Sequence, residues 1–135
     1  MDEVSGLLER DLTAVLKPLV DCVVLPGAAN GSESRPDEYI SVVAGDAEIR
    51  GGGVYLVEMD VRVVVPVDDP AVAERARVRV RAVADYLDAA DCPFRSHESD
   101  DLRVHGYRVT GLHRETGTRS RAEIISLVVG AGALL

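Results

Sequence analysis

Residues 54–67 constrain this chain more than any other segment. Tyr55, Val57, Met59, Val61, Val63, Val65 and Val67 occupy every second position, with Glu58, Asp60 and Arg62 between them. A period of two sends successive side chains to opposite faces of an extended chain, so the segment reads as a strand with one dry face and one wet face. A dry face needs an apolar cover, and two segments can supply it. Residues 2–19 carry Val4, Leu7, Leu8, Leu12, Val15, Leu16 and Leu19 at three- and four-residue steps, the pattern of an amphipathic helix. Asp2 suits its N-cap, and Pro18 ends it by ring clash and a missing N–H. A second helix opens at Asp68-Asp69-Pro70, a capping carboxylate followed by Pro at the first helical position. It runs to about Ala90, with Val72, Ala76, Val80, Val83, Ala84 and Leu87 as the buried stripe and Arg77, Arg81, Asp85 and Asp88 on the wet side.

The other segments are strands and loops. A short strand is expected at 22–25, a polar loop at 26–36, and a strand at 39–44 that stops at Gly45-Asp46, before Gly51-Gly52-Gly53. Residues 91–101 read as an acidic loop. Strands at 103–114 and 119–129, joined by Glu115-Thr116-Gly117-Thr118, form a hairpin with a four-residue loop. The order is α-β-β-β-α-β-β, which predicts an α+β fold: a mixed, mostly antiparallel sheet with two helices packed on one face. At 135 residues, 47% apolar and 28% charged, the chain is one ordinary globular domain, 1–135.

Charge and motif content narrow the function. A net charge of −8 opposes a grip on phosphate, which needs clustered Lys and Arg. Four Tyr, one Phe and no Trp leave little for a base-stacking platform. Cys22 and Cys92 form neither a redox pair nor a zinc set. His97, Glu98, Asp100 and Asp101 are potential metal ligands, but their spacing matches no established loop, and a solvated acidic loop is expected. His105 and His113 would lie ~26 Å apart along a strand, too far to share an ion. Gly51-Gly52-Gly53 lacks the Lys and the following helix of a phosphate loop, and Gly130-Ala131-Gly132 lacks the helix of a dinucleotide site. With no nucleophile elbow and no paired-histidine zinc motif, the expectation is a non-enzymatic protein without cofactor or metal. The N-terminus does not read as a signal peptide, and the longest weakly polar stretch, 124–135, falls short of the ~20 residues that span a bilayer.

If Arg114 faces Arg119, the hairpin has two partly apolar faces. One carries His105, Tyr107, Val109, Ile124 and Val128; the other carries Val104, Leu112, Ile125, Leu127 and Val129, interrupted by Arg108, Arg121 and Glu123. Two helices dry only one side of a sheet, so the second side is expected to meet another sheet or another subunit. The tail 130–135 adds Leu134 and Leu135, as an interface element or a frayed end.

The order of these elements resembles the tail terminator (tail completion) proteins of long-tailed bacteriophages. The likeness rests on the leading amphipathic helix, on Asp37-Glu38-Tyr39-Ile40-Ser41-Val42 after a polar loop, on the strand 58–65 running into the Asp69-Pro70 helix start, and on the hairpin segments Gly106-Tyr107-Arg108-Val109 and Arg121-Ala122-Glu123-Ile124-Ile125-Ser126-Leu127. The resemblance implies a mixed sheet flanked by helices. It also implies a virion protein of the tail and neck, made in the host cytoplasm. Such a protein forms a ring, usually of six copies, on the end of the tail tube. Its implied partners are further copies of itself, the tail tube protein and the head–tail connector, with DNA passing through the lumen without specific binding and no membrane involved. On this reading Arg108, Leu112, Arg121, Glu123, Ile125, Leu127, Leu134 and Leu135 form a subunit interface. The loops 27–35 and 47–53, with Arg35, Glu48, Arg50 and Gly52, contact the tube. The competing readings are another head–tail neck subunit, a small-ligand-binding α+β module, and a small enzyme using His97, Glu98 or Asp100.

Overall fold

The computed structural model describes residues 3–27, 37–67 and 70–134. Helix α1 spans Glu3–Leu16 and tightens into a 3-10 turn, Lys17–Leu19, where Pro18 forbids further α-helix. Strand β1 is Val23–Pro26, β2 is Tyr39–Gly51 and β3 is Val54–Pro66. Helix α2 covers Pro70–Asp88, and strands β4, Leu102–Thr116, and β5, Ser120–Ala133, complete the chain. The expected caps Asp2, Asp68 and Asp69 lie outside the described residues. The five strands form one sheet in the order β1-β2-β3-β5-β4. β1 runs parallel to β2, and every other pairing is antiparallel. β3 and β4 therefore run the same way, with α2 as their crossover and β5 inserted between them.

The fold class is as the sequence predicts. The odd positions of β3 are the dry ones: Val57, Met59, Val61, Val63 and Val65 sit beneath both helices in one continuous core. That core takes Val4, Leu8, Leu12 and Leu16 from α1 and Val72, Ala76, Val80, Val83 and Leu87 from α2. Both helices thus lie on the same side of the sheet. Ala84 is half-buried at the margin of its stripe.

Four expectations need correction. First, β2 does not stop at Gly45. A bulge between Ala44 and Ala47 absorbs Gly45 and Asp46, and pairing with β3 resumes at Ala47 opposite Val57. The buried Glu9 of α1 holds the bulge by accepting the Ala44 N–H at 2.7 Å. Residues 47–51 are therefore strand, and Gly52 and Gly53, at φ +63° and +77°, make the tight hairpin turn that only Gly adopts freely.

Second, Arg114 faces Glu123, and Thr116 faces Arg121. The expected register set two cations opposite each other, which is unfavourable, whereas the observed one makes a 2.7 Å ion pair between Arg114 and Glu123. Third, irregularities between Val104 and Gly106 and between Val109 and Gly111 shift the parity of β4. Tyr107 and Val109 turn toward the helices, opposite Val129 and Leu127. Fourth, the described part of the tail, residues 130–134, is not frayed: Ala131 and Ala133 pair with Val104 and Leu102, and the Leu134 N–H donates to Asp101 O at 2.9 Å.

Candidate interaction surfaces

α2 lies over β3 and β5 and leaves a groove along each flank. Val78 stands off the buried stripe of α2 and is 60% exposed. With Leu19 and Val20 from the end of α1, and Ala71 and Ala82 from α2, it lines an open apolar groove of about 530 Å³. Val23, on the outer strand β1, is also exposed. Arg79 is only 8% exposed; its Nε donates to Asp21 Oδ1 at 2.8 Å and its Nη1 to Glu38 Oε1 at 2.6 Å. Arg75 Nη2 donates to Glu38 Oε2 at 2.9 Å. These hydrogen bonds from Arg75 and Arg79 hold the Glu38 carboxyl at about 2, and that from Arg79 also lowers Asp21. The network ties α2 to the start of β1 and β2 and satisfies the polar rim from within. Burial raises the neighbouring Cys22 thiol, which keeps it protonated at neutral pH.

The opposite flank of α2 faces β4. There Leu112, 60% exposed, borders a second groove of about 360 Å³ with Val80, Arg81, Ala84, Asp85 and the Arg114–Glu123 pair. Leu112 lies opposite Ile125, on the helix side of the sheet, but β4 continues past the cover α2 provides.

The residues predicted as an interface divide between core and surface. Ile125 and Leu127, each 1% exposed, belong to the core under the helices, because their parity on β5 matches the dry face of β3. Glu123 is buried against Arg114, and Arg121 is half-buried. Arg108 and Leu112 are exposed, Leu134 is half-buried at the sheet end, and Leu135 lies outside the described residues. Of the predicted tube contacts, Arg35 is also outside them. Glu48, Arg50 and Gly52 are exposed on the β2–β3 hairpin, where Ile49, 74% exposed, joins them. Sequence reasoning placed Leu19 on the apolar stripe of the first helix, whereas it is exposed, and did not single out Val23, Ile49 or Val78. Val78 carried a usable signal, since it is a large apolar residue on the wet side of an otherwise regular stripe.

The sheet face away from the helices is closed in part by its own side chains. Arg62 and Glu115 reach over β5, 3.3 Å apart, across a small cluster of Val64, Ala122, Ile124 and Tyr39. Ser126 Oγ donates to Asp60 Oδ1 at 2.7 Å on the same face. The second face therefore holds less uncovered apolar surface than the sequence suggests.

The acidic loop is knitted to α1. Asp11, nearly buried, accepts from Arg10 Nε at 2.7 Å, Ser99 Oγ at 2.7 Å and His97 Nε2 at 2.9 Å. Burial pushes its carboxyl up, and the hydrogen bonds from Arg10, Ser99 and His97 together bring it below the usual range. His97 stacks on the buried Phe94. Glu98 pairs with Arg103 and Asp101 with Arg10. His97, Glu98 and Asp101 are thus each engaged with a different side chain. Among the described residues no three His, Cys, Asp or Glu side chains gather into a set that could hold a metal ion. Nor is any helix among them long and apolar enough to cross a membrane.

No protein-family model and no curated protein matches the chain. Solved structures do match, 25 chains in number. One, whose name states no function, aligns at a TM-score of 0.53 and 19% identity over 95% of this chain and 91% of its own. That likeness establishes a shared fold along nearly the whole chain.

Proposed function

We propose that this chain is a ring-forming structural subunit of the tail terminator type, which closes the end of a phage tail tube, ends its polymerisation and presents a joining surface to the head connector. The observation that carries the reading is the pair of unlike grooves on opposite flanks of α2, one apolar at Leu19 and Val78, the other rimmed by charged side chains beside the exposed Leu112. A ring closes through heterologous contacts, in which two different patches of each copy meet, and a chain with only one such patch stops at a dimer. The net charge of −8 suits a collar whose lumen passes DNA without holding it. A subunit of another neck junction would use the same ring logic. A small-ligand module is less well supported. The 530 Å³ groove has the size for one, but its arginines are already bound to Asp21 and Glu38, leaving few polar groups to orient a ligand.

The test is negative-stain imaging of the protein mixed with tail tubes. Caps at one end of each tube support the reading. Bare ends at saturating protein overturn it.

A further inference from the structure

We draw no further inference here: the strongest candidate, the apolar groove between α2 and the end of α1 lined by Leu19, Val20 and Val78, has its rim arginines already bound to Asp21 and Glu38, and nothing in the structure shows what covers it.

Discussion

Gly132 lies against the backbone of Gly53: a Cβ placed at position 132 would fall 2.6 Å from the Gly53 carbonyl oxygen. The end of β5 and the tip of the β2–β3 hairpin meet without room for a methyl group, and Gly53 at φ +77° has no easy way to yield. Gly132→Ala is expected to destabilise the protein by ~1–3 kcal/mol through this overpacking. Gly130→Ala meets its neighbours at 3.8 Å, ordinary contact, and should cost far less. Urea denaturation of the two variants checks the difference. Equal midpoints would show that the tip moves freely.

Ile125 and Leu112 face each other across β4 and β5 and should respond oppositely to truncation. Ile125→Ala empties a fully covered site and is expected to cost ~2–5 kcal/mol. Leu112→Ala, at a 60% exposed site, should stay within ~0.5 kcal/mol in the monomer. Thermal unfolding at low protein concentration separates them. A large loss at Leu112 would mean that it supports the fold.

The Glu38 carboxyl, held at about 2 against an ordinary 4.5 by its hydrogen bonds to Arg75 and Arg79, sets an acid limit. Because the folded value is the lower one, this contribution is complete above pH ~4.5 and disappears as pH falls toward ~2. Glu38→Gln should therefore melt below the wild type at neutral pH, and the gap should narrow across that window. A gap that does not change with pH would rule out the carboxylate charge as its cause.

Asp11→Ala removes the acceptor shared by Arg10, Ser99 and His97. An expected loss of ~1–3 kcal/mol follows from leaving their polar groups unmatched. It should be local, with faster amide exchange at His97, Ser99 and Val104, whose N–H groups bond within this segment. Unchanged protection there would show that Phe94 alone secures the loop.

Periodicity made much of the fold legible. The alternation in β3, the three-and-four spacing in α1 and α2, and Pro18 fix these elements locally, because each depends only on neighbours along the chain. They also determine the α+β class and the placing of both helices on one face of the sheet.

Register and cover were decided only by the tertiary structure. Bulges in β2 and β4 depend on what lies opposite, so neither the continuity of β2 through Gly45 nor the turn of Tyr107 toward the helices could be read from spacing. The same parity that marks Ile125 and Leu127 as apolar leaves open which face the helices take, and the fold placed them inside. Leu112 becomes a surface feature because β4 continues past the cover that α2 provides. That relation joins elements distant in sequence, and local propensity carries no record of it.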